Sequence, residues 1–335
     1  MHYIVFDLEW NQSPAPALSL PELPFEIIEI GAVKLDKNGR IVSRFSELVR
    51  PSVYPTVNPI IKKVTKLDNA QLKCAPEFPS VCADFLEWCG VDPVFCTWGC
   101  GDLTVLRSNM DHYNLEYEFH SPLTYYDVQK LYSLQFGDGK ERLALEAAVE
   151  QLALPHADDF HRALQDAYYT ACVWQKLDVK RFGAYLSVDY YALPAEGEYW
   201  NFDFGTYTKM VTGVYDTKAE AMADDEVCRV RCSRCGDYCD MLVPWFAVSS
   251  RYYLTLADCP DHGKMQAKLR WKSLVAGVFA AKTVKPANSE RAEKIRKKYK
   301  AFLKGVNKSE RERELADGGD PEGSDGCDGI DRDDD

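Results

Sequence analysis

Apolar and polar residues alternate along three segments near the N-terminus, a pattern typical of half-buried β-strands. The segments are YIVFDLEW (3–10), FEIIEIGAVKL (25–35) and RIVSRFSELV (40–49). A Lys-Asn-Gly turn at 37–39 joins the last two, so we expect the chain to open with two or three antiparallel strands. The segment SPAPALSLPELP between the first two carries four prolines and is predicted to be a surface loop.

After Pro51 the period changes to that of amphipathic helices, interrupted by one short apolar strand, PVFCTW (93–98). Strands followed by alternating strands and helices predict an α/β fold with one mixed sheet. The predicted helices are VNPIIKKVTKL, EFPSVCADFLEWC, DLTVLRSNMDHY, YDVQKLYSLQF, ERLALEAAVEQLAL and HRALQDAYYTACVWQKL.

The character of the sequence changes again near residue 180, where short aromatic segments such as EYWNFDFGTYTKMVTGVY predict a second, smaller β-rich module. We therefore expect a first domain, a β-rich connection, a cysteine-containing module, a basic helical segment and an acidic disordered tail. The predicted ranges are 1–180, 181–227, 228–265, 266–304 and 305–335.

Length and composition limit the classes of protein to which this chain could belong. A chain of 335 residues is long enough for two domains. No segment approaches the roughly 18 apolar residues of a membrane span, and the N-terminus lacks the pattern of a signal peptide, so we expect a soluble, cytoplasmic protein that does not contact membranes. The net charge of −12 argues against coating nucleic acid by bulk charge but permits a local basic surface.

Two acidic residues lie close together in the first predicted strand. Because strand side chains alternate, Asp7 and Glu9 face the same way. Two like charges side by side destabilise each other unless a cation lies between them, and hard oxygen ligands suit Mg²⁺ or Mn²⁺. A solvated strand face is the alternative interpretation.

Further acids and a histidine lie at the ends of predicted elements. Asp102 follows the strand PVFCTW and begins a helix, where it is either a functional carboxylate or an ordinary N-cap. His161 and Asp166 are five residues apart. Five residues of a helix turn through about 500°, so within one helix the two side chains would point in different directions. They converge only if His161 lies on the loop before the helix, an arrangement that suits a mobile general base. A surface or capping histidine is the alternative.

The combination of VFDLEW, EIIEIGAV, TWGCGD and HRALQDA resembles the DEDDh 3′–5′ exonucleases, the superfamily of ribonuclease T and DNA polymerase III epsilon. The resemblance covers residues 1 to about 180 and implies a ribonuclease H-like fold with a mixed five-stranded sheet flanked by helices. The EIIEIGAV segment and Trp10 look most similar to the Eri-type and KapD-like branch.

The resemblance also implies a metal-dependent 3′–5′ exonuclease that uses two Mg²⁺ or Mn²⁺ ions. Asp7 would bridge both ions, Glu9 and Asp166 would complete the first site, Asp102 would support the second, and His161 would be the general base. The expected substrate is the single-stranded 3′ end of RNA or DNA, with RNA preferred and 5′-mononucleotides released.

Leu8 and Trp10 are candidates for contacting the terminal nucleotide, and core positions are the alternative for both. Three other functions remain open for the chain: a DNA-directed exonuclease, a non-catalytic nucleic-acid-binding protein with the same fold, and a zinc-ribbon adaptor that binds protein partners.

Two pairs of metal-ligand residues lie in the second half of the chain. Cys232 and Cys235 form one C-x2-C knuckle, and Cys259 and His262 form a second pair with the same spacing. Strand-like sequence joins the two pairs, as in a zinc ribbon, so we expect one structural Zn²⁺. The flanking thiols Cys228 and Cys239 could replace a ligand.

The segment from Lys264 to Lys304 is rich in Lys and Arg, with Trp271 and Phe279 among them. Charge runs usually form solvated helix faces. Because basic and aromatic residues together are typical of nucleic-acid surfaces, our hypothesis is that the ribbon and this segment hold nucleic acid upstream of the 3′ end.

Overall fold

The computed structural model describes residues 2–116, 119, 122–155, 160–274 and 276–316. The chain divides into two compact units, of which the first extends to Ala192 and the second begins at Leu193. None of the described helices is long and apolar enough to cross a membrane.

The first unit is built on a mixed sheet with the strand order β3-β2-β1-β4-β5-β6. β1, β2 and β3 are antiparallel neighbours, whereas β4 and β5 run parallel to β1. The predicted α/β fold with a mixed sheet is confirmed, but the sheet has six strands instead of five because the two-residue β6 pairs with β5. The strands are β1 His2–Asn11, β2 Glu26–Leu35, β3 Ile41–Leu48, β4 Pro93–Thr97, β5 Thr124–Asp127 and β6 Ser187–Val188.

Helices cover both faces of this sheet, and the two sides of β1 show how. Ile4 and Phe6 pack with residues of α3 and α4, whereas Val5 packs with residues of α7. Because strand residues alternate, Asp7 and Glu9 lie on the same side as Val5 and therefore on the side of α7. The helices are α1 Pro59–Thr65, α2 Asn69–Lys73, α3 Phe78–Cys89, α4 Gly101–His112, α5 Val128–Phe136, α6 Leu145–Gln151, α7 Ala163–Trp174 and α8 Val179–Phe182.

The second unit is an antiparallel sheet with the order β7-β8-β12-β11-β10-β9. The strands of the predicted zinc ribbon therefore belong to a larger sheet. Two short helices precede β9, and a long helix follows β12. The elements are β7 Tyr199–Asp203, β8 Thr208–Thr212, α9 Lys218–Ala223, α10 Asp225–Cys228, β9 Asp240–Ser249, β10 Tyr252–Cys259, β11 Gly263–Leu274, β12 Gly277–Pro286 and α11 Ser289–Ala316.

The prediction of a helix throughout the basic segment 266–304 is wrong for its first half, which forms most of β11 and all of β12. In β11, exposed or half-buried basic residues at 268, 270 and 272 alternate with buried Leu269 and Trp271. This period of two is that of a strand with one apolar face.

α11 occupies the second half of the basic segment and continues into the predicted tail. Ala292 and Ile295 pack against Leu254 and Leu256 of β10, so the helix has a buried apolar stripe. Residues 305–316, predicted to be disordered, belong to this helix. The remaining part of the predicted tail, 317–335, lies outside the described residues.

Candidate active site and zinc centre

Three carboxylates meet where β1 passes the start of α7. Asp7 and Glu9 are half-buried on β1, and Asp166 is buried in the first turn of α7. One oxygen of each carboxylate lies within 4.8 Å of the others. This spacing lets all three oxygens contact one cation, and hard carboxylate oxygens are the ligands that Mg²⁺ and Mn²⁺ prefer. The residues therefore fit the divalent-metal site predicted from the sequence.

α7 reaches this position because a glycine lies beneath its first turn. Gly31 of β2 is directly opposite Asp7 in the sheet. A Cβ atom at Gly31 would lie 1.9 Å from the backbone nitrogen of Leu164 and 2.1 Å from the carbonyl carbon of Ala163. Gly31 was not among the predicted site residues, although a glycine inside an otherwise bulky buried strand indicates a close backbone approach.

His161 lies on the loop before α7, as the spacing to Asp166 predicts. Its side chain is exposed and its φ is +69°, a left-handed conformation that is uncommon for residues other than glycine. The backbone N–H of His161 donates to Oδ2 of Asp166 at 3.0 Å. Asp166 therefore holds the loop that carries the histidine, and the side chain of His161 extends from a fixed backbone.

Asp102 is the second residue of α4, at the helix start predicted from the sequence. It is buried, and its Oδ1 accepts a hydrogen bond from the backbone N–H of Leu8 at 3.3 Å. This bond fixes Asp102 to β1 between Asp7 and Glu9. Asp102 does not belong to the close group of three oxygens, which agrees with a role as a more distant carboxylate.

The two candidate nucleotide contacts differ in their environments. Leu8 is 3% exposed and packs in the core, which favours the core interpretation for its side chain. Trp10 is half-buried, with its ring 5.6 Å from that of Phe25. Its terminal ring carbon would lie 3.9 Å from a Cβ at Gly101, next to Asp102. Trp10 also packs against the edge of the core that contains Leu8, so both interpretations of its side chain remain open.

An ion pair beside the carboxylates was not predicted. Glu29 is 1% exposed and lies directly opposite Glu9 in the sheet. Arg162, between His161 and α7, donates to both of its oxygens, at 3.0 Å from Nε and 2.8 Å from Nη2. The backbone N–H of Ala163 also donates to Glu29, at 3.3 Å. The pair fastens the start of α7 to β2. The charge of Arg162 also lowers the pKa of Glu9, although burial and the neighbouring acids outweigh it.

Burial and mutual repulsion oppose ionisation of these carboxyls. Burial, followed by the charges of Asp166 and Glu29, raises the pKa of Glu9 to about 8. Burial, followed by the charges of Asp102 and Asp166, raises the pKa of Asp7 well above its ordinary value. Burial also raises the pKa of Asp102 to about 7, although backbone N–H groups partly oppose it. A bound divalent cation would remove this repulsion.

Protein free of divalent cations is therefore expected to become more stable as the pH falls. The folded-state pKa of Glu9, about 8, lies above its ordinary 4.5, so the folded protein binds the extra proton between these values. The stability that this extra proton gives the folded protein is lost as the pH rises through this window. We expect the melting temperature without added Mg²⁺ or Mn²⁺ to be higher at pH 5.5 than at pH 8 by about 5 °C, from about 2 kcal/mol.

Two variants and one cation test this pH dependence. Glu9→Gln should flatten it, whereas Glu47→Gln, on the exposed side of β3, should leave it unchanged. Added Mn²⁺ should raise the melting temperature of the wild-type protein more at pH 8 than at pH 5.5, because a larger fraction of the carboxylates is ionised at pH 8 and protons compete less with the cation. Equal melting temperatures for wild type and Glu9→Gln at pH 8 would contradict the assigned repulsion.

The four predicted zinc ligands converge in the second unit. Cys232 and Cys235 precede β9, Cys259 ends β10, and His262 lies in the turn before β11. Their ligand atoms all lie within 4.8 Å of one another. The Sγ atoms of Cys235 and Cys259 are 3.7 Å apart, and Nδ1 of His262 is 3.6 Å from Sγ of Cys259.

These spacings match a tetrahedral site, in which Zn–S bonds of about 2.3 Å place sulfur atoms about 3.8 Å apart. Burial opposes ionisation of Cys232, but backbone N–H groups of Cys235 and Arg234 outweigh it and lower the pKa of that thiol. The four residues therefore fit Zn²⁺. Cys228 and Cys239, the alternative ligands, are not part of this group.

Comparisons with known proteins find relatives of the first unit. The family described as RNase_T, Exonuclease, matches residues 4–173. The PolC-type DNA polymerase III of Caldanaerobacter subterraneus subsp. tengcongensis is 30% identical over 52% of this chain, but the match spans only 11% of that much longer protein. The epsilon subunit of DNA polymerase III from Aquifex aeolicus is 28% identical over 57% of this chain and 87% of its own length.

A third relative is the probable 3′-5′ exonuclease KapD of Bacillus subtilis, 29% identical over 42% of this chain and 68% of its own length. Among solved structures, the nuclease domain of 3′hExo, a DEDDh family member bound to rAMP, matches with a TM-score of 0.47. It is 21% identical over 56% of this chain and 96% of that domain. Since the family matches residues 4–173, half of the 335 residues, this chain belongs to the RNase_T exonuclease family.

Proposed function

We propose that this chain is a metal-dependent 3′–5′ exonuclease that releases 5′-mononucleotides from the 3′ end of a nucleic acid strand. The observation that carries the proposal is the convergence of Asp7, Glu9 and Asp166, with oxygens within 4.8 Å of one another. They lie inside the family match at residues 4–173. The KapD relative is named as a probable 3′-5′ exonuclease.

The four acids would hold the divalent ions, with Asp7, Glu9 and Asp166 around the first and Asp102 towards the second. When bound, two such ions supply a hydroxide nucleophile and stabilise the leaving 3′ oxygen. His161 would take the proton of the attacking water, since its exposed side chain extends from a loop fixed by Asp166. The Glu29–Arg162 ion pair would keep the start of α7 in place during this proton transfer.

Trp10 would contact the terminal nucleotide. It is half-buried and approaches Gly101, next to Asp102, so the nucleotide would lie between the tryptophan and the acids. Aromatic stacking of a base contributes roughly 1–3 kcal/mol and tolerates every base. The site would then degrade strands of different sequence.

RNA is the proposed substrate, on the resemblance of EIIEIGAV and Trp10 to the Eri-type and KapD-like branch. DNA is the second candidate, because two of the relatives are named as DNA polymerase III components. Incubation of the purified protein with 5′-labelled single-stranded and duplex RNA and DNA of matched sequence, with Mg²⁺, Mn²⁺ or chelator, would separate them. Faster loss of 3′ nucleotides from RNA supports the first, faster loss from DNA the second, and no metal-dependent loss from either refutes the proposed activity.

We also infer that Cys232, Cys235, Cys259 and His262 hold one structural Zn²⁺. Cys232→Ser is expected to lower the bound zinc from about one per chain to near zero and to unfold the second unit at a lower temperature, because structural zinc contributes directly to folding. Cys239→Ser and Cys228→Ser should both retain the zinc. Elemental analysis and thermal melting measure the two effects, and loss of zinc in Cys239→Ser would make that thiol a ligand.

A further inference from the structure

One face of the second sheet combines aromatic and basic side chains. β10, β11, β12, β8 and β7 pair in unbroken register, so residues directly opposite each other share a face. A first row across the five strands consists of Tyr252, Arg270, Ala281, Val211 and Trp200. Small or branched residues thus lie in its middle, and aromatic residues lie at both ends.

A second row lies beside the first on the same face. It consists of Leu254, Lys268, Thr283, Lys209 and Phe202. Neither row contains an acidic residue, although the chain has 52 acidic and 40 basic residues. We call the six basic and aromatic members of the two rows the basic face: Trp200, Phe202, Lys209, Tyr252, Lys268 and Arg270.

The side chains of the basic face contact one another. Nζ of Lys268 lies 4.2 Å, and Cζ of Arg270 5.8 Å, from the ring centre of Tyr252. Arg270 is exposed, and Tyr252 and Lys268 are half-buried. Burial, and then the charge of Arg270, lower the pKa of Lys209 to about 8. Cations therefore crowd this surface without an acid in either row, and Arg270 beside Tyr252 is exposed to solvent.

The neighbouring part of the same face is covered by the chain itself. Ala292 and Ile295 of α11 pack on Leu254 and Leu256. The helix thus covers the apolar end of the sheet, and the basic face continues beyond it. A surface of cations and aromatic rings at a sheet is the combination that single strands of nucleic acid bind, since cations attract phosphates and every base can stack on a ring.

We propose that the basic face binds single-stranded nucleic acid, with phosphates on Arg270 and Lys268 and a base stacked on Tyr252. A duplex would offer phosphates but no free base for this ring, and an acidic peptide would offer charge without bases. The proposal rests on the proposed function for the class of ligand. The surface lies in the second unit, outside the residues matched by the exonuclease family.

The test measures binding, in an Asp7→Asn background without added divalent ions so that the probe stays intact. The probe is a fluorescein-labelled single strand of about 30 nucleotides, followed by anisotropy over a series of salt concentrations. Lys268→Glu/Arg270→Glu is expected to raise Kd at least about 10-fold and to reduce the salt slope by about 1.4, from two lost phosphate contacts. Tyr252→Ala should raise Kd about 5- to 150-fold with an unchanged salt slope, because stacking is not ionic.

The matched control is Lys176→Glu/Lys180→Glu, which reverses two exposed charges beyond the C-terminal end of α7. The control should bind the probe like the Asp7→Asn parent. Zinc content and melting temperature show whether the variants remain folded, and Lys268→Gln/Arg270→Gln is a milder variant with the same expected direction. Binding by the basic-face variants equal to that of the control overturns the proposal, as does equal loss of binding in the control.

Two further measurements separate this proposal from other ligands and from the proposed function. Tighter binding of an acidic peptide or of anionic phospholipid vesicles than of the oligonucleotide would overturn it. Hydrolysis of a four-nucleotide substrate by Lys268→Glu/Arg270→Glu, with Asp7 intact, should match that of the wild type. If no variant or wild-type protein hydrolyses any substrate but the binding differences persist, the exonuclease proposal fails and the basic face stands.

Discussion

Asp7→Asn is expected to reduce metal-dependent hydrolysis of a labelled single strand by about 1000-fold or more. Asp7 lies at the centre of the acidic group, and its pKa is raised by burial and by the neighbouring carboxylates. Removing its charge weakens the hold on the divalent ions, whose charge stabilisation contributes several kcal/mol, and each 1.4 kcal/mol is a factor of ten in rate. Gel-resolved single-turnover assays at saturating Mn²⁺ measure the loss.

A second measurement distinguishes this loss from misfolding. Because Asp7→Asn removes a repelling charge, the variant without divalent ions should melt at a higher temperature than the wild type at pH 8, and Mn²⁺ should raise its melting temperature less. Asp84→Asn, the same chemical change on an exposed position of α3, should alter neither activity nor melting. Full activity of Asp7→Asn would refute the assigned metal site.

His161→Ala should give a different result at the same site. It should lower the rate by about 100-fold or more, the contribution of a positioned general base, while the rise in melting temperature with Mn²⁺ persists. The comparison separates a residue that holds the ions from one that handles the proton. An unaltered rate in His161→Ala would show that another group acts as the general base.

The set of acids was predicted from the resemblance to the DEDDh exonucleases, whereas local periodicity alone predicted how some of their side chains are directed. Alternation along β1 places Asp7 and Glu9 on one side, and the helical period places His161 near Asp166 only from a loop. The structure has both features. These inferences needed only the conformation of one segment at a time, which short-range patterns specify well.

The basic segment shows where such a pattern was misjudged. Its charge density suggested a solvated helix, but the apolar residues between the cations at 268, 270 and 272 follow a period of two. Charge says little about secondary structure, because cations are equally compatible with the exposed face of a strand. The same alternation that was overlooked creates the basic face on one side of β11.

Other parts of the site depend on contacts between distant segments, which periodicity does not reveal. Glu29 and Arg162 are separated by 133 positions and meet only because α7 lies across β2. In the sequence, Glu29 is one of two acids in a largely apolar strand, and the cation that pairs with it could not be identified. Gly31 is similar, since its importance comes from the backbone of Ala163 and Leu164 above it.

Gly31→Ala is therefore expected to have a large effect without changing a catalytic group. The new Cβ would lie 1.9–2.4 Å from backbone atoms of Ala163 and Leu164, closer than any real contact, so α7 must move away from β2. Overpacking of this kind costs about 3 kcal/mol, which corresponds to about 10 °C in the melting temperature of a domain of this size. Displacement of Asp166 and His161 by about 1 Å should also lower the rate about 100-fold.

Gly101→Ala is the matched control, because a Cβ there meets only a ring atom of Trp10, at 3.9 Å. This variant adds the same methyl group at the start of α4 and should melt within about 2 °C of the wild type, as expected where no atom must shift. Both variants keep all the acids. The difference in melting temperature between them reports the close approach of α7 to β2, whereas the activity of Gly101→Ala also depends on the nucleotide that would lie beside Trp10. Wild-type melting and activity in Gly31→Ala would show that the start of α7 can move away from β2 without disturbing the site, and that its close approach is not what aligns Asp166 with Asp7 and Glu9.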